Sequence, residues 1–174
     1  MITTITLSEA IENARKINTY YNEDIKIIEQ FDNWDEFLNY EKAPFWLYWY
    51  AKEVINDRWP EAEEYIMKDP YSVYFYALII IKDRWIDAEE YIKKDPYWAY
   101  IYARDIIKSR WYDAEEYIKD VPHWADWYAR DVIKGKWHDA NIHVKKIPYL
   151  NKFYNKIYRR DKNKSSLSQP NYLN

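Results

Sequence analysis

Every twenty-six residues this chain returns to the same side chains, and that period decides what it can fold into. Trp59, Trp85, Trp111 and Trp137 follow it, as do Pro70, Pro96, Pro122 and Pro148, with Pro44 one period earlier. So do Ala62, Ala88, Ala114 and Ala140; Tyr65, Tyr91 and Tyr117; Tyr50, Tyr76, Tyr102, Tyr128 and Tyr154; and Ala51, Ala77, Ala103 and Ala129. A period of this length marks a stacked repeat, in which one small unit buries its apolar face only against its neighbours. The first copy is irregular: Trp34 precedes Pro44 by ten residues, where Trp59 precedes Pro70 by eleven. Five units result, the outer two degenerate.

Each unit divides at its proline. Asp69-Pro70 and Asp95-Pro96 set an N-cap side chain before a residue whose fixed φ and missing N–H suit the first helical position. The other boundary is read at Asp57, Asp83, Ser109 and Gly135, all N-cap residue types, with Glu61, Asp87, Asp113 and Asp139 about a turn later, where the helix dipole favours acids. The pattern predicts a helix A over about 58–68, a tight Asp-Pro corner and a helix B over about 70–82, repeated along the chain. Trp59, Ala62, Tyr65 and Ile66 share the inward stripe of helix A, and Val73, Tyr76, Ala77, Ile80 and Ile81 that of helix B. Glu64 with Lys68, Glu90 with Lys94 and Glu115 with Lys119 read as solvent-side pairs, so the doublets Glu63-Glu64, Glu89-Glu90 and Glu115-Glu116 read as a solvated face. A helix of this size spans only about 16 Å, too short to stand alone. The fold expected is all-α, a right-handed α-solenoid of about five stacked two-helix repeats with an N-terminal helical cap.

The expected organisation has three parts. Residues 1–32 form the cap, with Thr6-Leu-Ser-Glu9 as a capping box opening a helix over about 7–18 and a further helix over about 22–31. Residues 33–160 carry the repeats and end on a closing helix B, Tyr149 to Arg160, in which Asn155 replaces the recurring alanine. Residues 161–174 lack apolar periodicity and read as a disordered tail.

Composition removes whole classes of function. The chain has no cysteine, hence no disulfide framework, thiolate metal site or cysteine nucleophile, and this fits a reducing compartment. One glycine leaves little for β-hairpins or phosphate-cradling loops. The longest aliphatic run, Ala77 to Ile81, is far short of a membrane span, and the first residues lack the basic start and apolar stretch of an export signal. A cytoplasmic location follows, with no membrane partner. Charge is uneven: residues 1–133 carry 16 Lys/Arg against 27 Asp/Glu, a balance of −11, and residues 134–164 carry 10 against 2, a balance of +8. An acidic body argues against binding extended nucleic acid, and the basic end, with Lys145, Lys146, Lys152, Lys156, Arg159 and Arg160, reads as a solvated terminal cap.

The unit R-W-x-[DE]-A-E-E-Y-I-x-K-D-P-x-x-x-Y-x-Y-A-x-x-I-I-K, read from Arg58, Arg84 and Arg110, resembles the short Trp/Tyr-rich helical-hairpin repeats of uncharacterised proteins from bacteriophages and large DNA viruses. The resemblance spans residues 33–159. It implies a viral origin, a place in the host cytoplasm, and, by analogy with small viral proteins that lack enzymatic motifs, inhibition of a host defence protein.

No catalytic or metal-binding constellation stands out, and no cofactor is implied. His138 and His143 lie five residues apart, which turns them to different sides of a helix and not into the i,i+4 arrangement that chelates a metal; they and His123 read as structural or solvated. Since a stack needs the same side chain at each joint, Trp59, Trp85, Trp111 and Trp137 read as a spine between hairpins, and Tyr76, Tyr102 and Tyr128 likewise. Aromatic residues at positions that vary are the candidates for binding. Trp46 with Trp49, Trp98 with Ile101, and Trp124 with Trp127 form i,i+3 pairs on helix B, on a flank away from the alanine stripe, with Arg104 and Arg130 a turn further along beside Asp105 and Asp131. The expected binding wall is Trp46, Trp49, Trp98, Tyr100, Arg104, Trp124, Trp127 and Arg130, a composition used by protein hot spots and by base-stacking sites. Two kinds of partner suit it: a host protein, or a nucleotide-derived signalling molecule held in a Trp/Tyr/Arg-lined pocket. The chain is expected to bind and not to catalyse, and the sequence assigns no oligomeric state.

Overall fold

The computed structural model describes residues 2–17, 22–140 and 147–148, and within them every regular element is helical, with no strand. The chain falls into two compact units, Met1–Lys93 and Lys94–Asn174. The closing helix expected over Tyr149–Arg160, the tail 161–174, His143 and the basic residues Lys145 to Arg160 lie outside the described residues.

Unit 1 opens with α1 (Leu7–Ile17) and α2 (Asn22–Ile28). The capping box forms as expected: Thr6 donates from its N–H and hydroxyl to Glu9 Oε2 at 2.9 and 2.8 Å, and the Glu9 N–H donates back to Thr6 Oγ1 at 3.2 Å. These bonds, from the Thr6 backbone first, hold the Glu9 carboxyl below its ordinary range. The shortened first repeat gives α3 (Trp34–Phe37), capped by Asn33, and then α4 (Ala43–Tyr50). Next come α5 (Pro60–Ile66) and α6 (Pro70–Phe75), and a 3₁₀ turn over Ile86–Ala88 that leads into α7 (Glu89–Ile92). Unit 2 contains α8 (Pro96–Tyr102), α9 (Tyr112–Ile118) and α10 (Pro122–Tyr128).

The Asp-Pro corners act as the sequence indicates. Asp69 caps α6 by accepting from the Ser72 N–H at 2.9 Å, and Asp95 caps α8 by accepting from the N–H groups of Tyr97 and Trp98, both at 3.0 Å. Helix A, by contrast, begins later than its expected caps. The N-cap positions are Trp59 and Trp111, and Asp57 turns its carboxylate onto the N–H of Arg58. The tryptophan side chain supplies no cap, and its own N–H is satisfied from across the hairpin: Tyr76 Oη accepts from the Trp59 N–H, and Tyr128 Oη from the Trp111 N–H, each at 2.7 Å.

That bond belongs to a buried clamp that recurs with the period. Tyr76 Oη donates to Glu63 Oε1 at 3.0 Å, and Arg58 grips both oxygens of Glu63 at 2.8 Å. Tyr128, Glu115 and Arg110 repeat the arrangement in unit 2, and Arg84 holds Glu89 in the same bidentate way in unit 1. Glu63, Glu89 and Glu115 are therefore buried and not solvated, and Glu115 forms no solvent-side pair with Lys119. A buried carboxylate survives because its charge is paired and its lone pairs are filled. Burial pushes Tyr76 and Tyr128 well above the usual phenol range, so both hydroxyls stay protonated and can donate.

The spine residues serve the same joint. The Trp59 ring lies 5.1 Å from that of Tyr50, and Trp85 4.8 Å from Tyr76; in unit 2, Trp111 lies 5.3 Å from Tyr102 and Trp137 5.1 Å from Tyr128. Each of Trp59 and Trp111 thus packs its ring on the tyrosine of the preceding helix B and bonds its N–H to the tyrosine of the next. Alanines 51, 62, 77, 88, 103, 114 and 129 are fully buried, the size needed where helix backbones come close.

Helix B ends in a way that the sequence did not announce. Its last turn widens to a π-helix, over Ala51–Ile55 after α4, Tyr76–Ile81 after α6, Ala103–Ile107 after α8 and Ala129–Ile133 after α10. Each is followed by a left-handed residue at the same repeat position, Asn56, Lys82, Lys108 or Lys134, with φ between 55° and 60°. The Lys82 N–H donates to Ala77 O at 2.7 Å and the Lys108 N–H to Ala103 O at 2.8 Å, closing the widened turn. The lone glycine, Gly135, stands one residue beyond this site and is no N-cap; its N–H donates to Ala129 O at 3.2 Å.

Candidate functional site

The outward flank of helix B differs between the units, and in unit 2 it gathers a partly exposed aromatic group. Packing α8 beside α10 brings Tyr97, Trp98 and Tyr100 of the first against Trp124 and Trp127 of the second. Ring centres lie 4.9 Å apart for Tyr97–Trp98 and for Tyr97–Trp124, 5.4 Å for Trp124–Trp127 and 6.0 Å for Tyr100–Trp127. Trp127 is 42% exposed and Tyr97 36%; Trp98 and Trp124 are half-buried, and Tyr100 is enclosed.

A polar network runs along the rim. Tyr100 donates its hydroxyl to Asp131 Oδ2 at 2.5 Å and accepts from Arg104 Nη1 at 3.0 Å. The Arg104 guanidinium lies 5.3 Å over the Tyr100 ring and grips both oxygens of Asp105 at 2.6 and 2.7 Å. Arg130 pairs with Asp126, which is buried. Burial, and then the adjoining Asp131 carboxylate, push the Tyr100 hydroxyl up to about 12, so at neutral pH it remains a donor. Arg104 is held above its ordinary value by its bond to Asp105 first, which fixes it as a cation already spoken for.

Of the eight candidate residues, the structure brings six together: Trp98, Tyr100, Arg104, Trp124, Trp127 and Arg130. Trp46 and Trp49 belong elsewhere. They are 4% and 3% exposed, inside unit 1, where Trp46 packs 5.4 Å from Phe37 and 5.0 Å from Tyr50. The cause is the irregular first copy: α3 turns Phe37 onto α4, and Ile28 of the cap closes the same corner, where a gap of about 20 Å³ beside Trp46 holds no more than a water. No described helix is long and apolar enough to cross a membrane. Among the described residues no group of His, Asp and Glu is placed to hold a metal ion.

Comparison of the chain with family models, with curated proteins and with solved structures finds no match.

One member of the rim, Asp126, was missed by sequence reasoning although a signal existed. Reading one repeat position down the chain gives Tyr48, Tyr74, Tyr100 and then Asp126, so the fourth copy trades a ring for a charge. Asp131 was noted only as a neighbour of Arg130. Its partner is Tyr100, 31 residues earlier.

Proposed function

We propose that the chain is a non-enzymatic binding protein, of the kind viruses use, whose helical hairpins stack as a right-handed α-solenoid and whose unit 2 aromatic flank binds and blocks a host defence protein in the host cytoplasm. The observation that carries this reading is the company Trp127 keeps: a large, partly exposed indole within a packed group of rings, with both neighbouring arginines already neutralised by aspartates. A rigid aromatic anchor with a charge-paired rim is what protein hot spots share. The stacking part rests on the recurring Tyr–Trp joint and buried Arg–Glu clamp, which repeat with the sequence period inside each unit.

The second reading, a sponge for a nucleotide-derived signal, asks for a pocket with free positive charge to meet phosphate. Arg104 and Arg130 would have to leave Asp105 and Asp126 first, a cost the protein-docking reading avoids. An open groove of about 510 Å³ on unit 1 is lined by Glu12, Glu29 and Asp32 against the single cation Arg15, which is itself paired with Glu29, so it too disfavours phosphate. The test is capture from host-cell extract by immobilised protein and by its Trp127→Ala variant. A stoichiometric protein retained by the first and lost from the second supports the reading. Equal capture by both, or no protein partner and a thermal shift with a cyclic dinucleotide, refutes it.

A further inference from the structure

We infer that the partner brings an arginine to the Trp127 ring, where the Asp131 carboxylate takes its charge; this rests on the protein-docking reading above. The chain shows how it assembles such a contact from its own residues. Arg104 follows Tyr100 by four residues, lies over its ring and delivers its charge to Asp105. Arg110 likewise lies 4.8 Å over Tyr112 while gripping Glu115. Around Trp127 the ring and the acid are present, and among the described residues no cation lies over the ring. Four residues after this ring stands Asp131, a carboxylate where Tyr100 has a guanidinium. Tyr100 ties the two together, its ring edge-on to Trp127 at 6.0 Å and its hydroxyl on Asp131 Oδ2.

The electrostatics point the same way. Asp131 is exposed, and among the described residues its one hydrogen-bond donor is Tyr100. Among the described residues, the polar network beside the rings sets Arg104 and Arg130 against Asp105, Asp126 and Asp131, which leaves one negative charge over. Each arginine has its own aspartate, so the unmatched charge is that of Asp131. An indole face is the best of the side-chain rings for a cation, and a carboxylate at its edge selects a guanidinium, which can stack and form paired hydrogen bonds at once. An acidic segment would meet Asp131 as a like charge.

The experiment uses the full chain with ¹⁵N-labelled indoles, the Trp127 Nε1–H signal being assigned by its loss in Trp127→Phe. The probes are a capped peptide of alternating glycine and arginine and the same peptide with citrulline, which keeps the shape and removes the charge. The arginine peptide should move the Trp127 signal in a saturable way, and the citrulline peptide should bind at least about fivefold more weakly. Asp131→Asn, at an exposed position, should weaken the arginine peptide by a similar factor and leave the citrulline peptide unchanged. Equal binding of the two peptides, an unmoved Trp127 signal at millimolar peptide, or an Asp131→Asn variant that binds arginine as well as the original overturns the inference. If the peptide result is negative while Trp127→Ala still abolishes capture of a host protein, the arginine assignment alone fails; if Trp127→Ala leaves capture intact, the docking reading fails with it.

Discussion

Trp49 and Trp127 occupy the same position of the 26-residue unit, three periods apart, and the structure buries the first and exposes the second. Around them the recurring frame is unchanged: a tryptophan packed on the preceding tyrosine, and an arginine clamping a buried glutamate beneath the next tyrosine. What differs is the lining of the flank. In unit 1 it is closed by rings, with Phe45 5.7 Å from Tyr71, Tyr71 4.6 Å from Phe75, and Tyr48 and Tyr74 buried. In unit 2 the fourth copy has Asp126 in place of that tyrosine, and a rim of arginine–aspartate pairs takes over. A repeat keeps its joint under strict demand and leaves its flank free to vary, so the flank is where one copy becomes core and another becomes surface.

If the frame is shared, breaking it should hurt both units alike. Arg110→Ala strands the buried Glu115, and Arg58→Ala strands Glu63. Each should cost about 3 kcal/mol in urea denaturation, the usual toll of leaving a buried charge unpaired. Lysine should rescue only part of the loss, since it cannot grip both carboxylate oxygens. Unequal losses at Arg58 and Arg110 would mean that the units differ in frame as well as in flank.

A smaller effect is confined to unit 1. Glu61 accepts from the hydroxyls of Thr4 and Thr3 at 2.6 and 2.8 Å and from their N–H groups at 3.2 and 3.3 Å, and these bonds, the Thr4 hydroxyl first, lower its carboxyl from 4.5 to about 2. A group whose folded pKa is depressed contributes fully above its unfolded value and loses that contribution as pH falls through the folded one. Glu61→Gln should therefore melt below the unmodified chain at neutral pH, and the two melting curves should converge as pH drops from about 4.5 to about 2. A gap that stays constant across that window would mean that the Thr3 and Thr4 bonds to Glu61 do not hold in solution.

Much of this was readable from the residues. The period, the helical hairpins, the Thr6/Glu9 box, the Asp69 and Asp95 caps and the inward tryptophans follow from local rules of capping and periodicity. Three of the departures trace to partners distant in sequence. Helix A starts late because the Trp59 N–H finds the hydroxyl of Tyr76, 17 residues on. Glu115 read as solvated because a lysine stands four residues after it, whereas the arginine five residues before it decides its surroundings. Trp46 and Trp49 read as surface because their position varies between copies. Variation shows only that the joint does not need them, and the cap and α3 were free to bury them.

Urea denaturation of Trp49→Ala and Trp127→Ala side by side shows whether one repeat position is core in unit 1 and free surface in unit 2. Trp49→Ala should lose about 3–5 kcal/mol, as for a buried large aromatic, and Trp127→Ala less than about 1 kcal/mol. Losses of equal size would contradict it, because the flank of unit 2 would then be holding the fold together and would not be free to hold a partner.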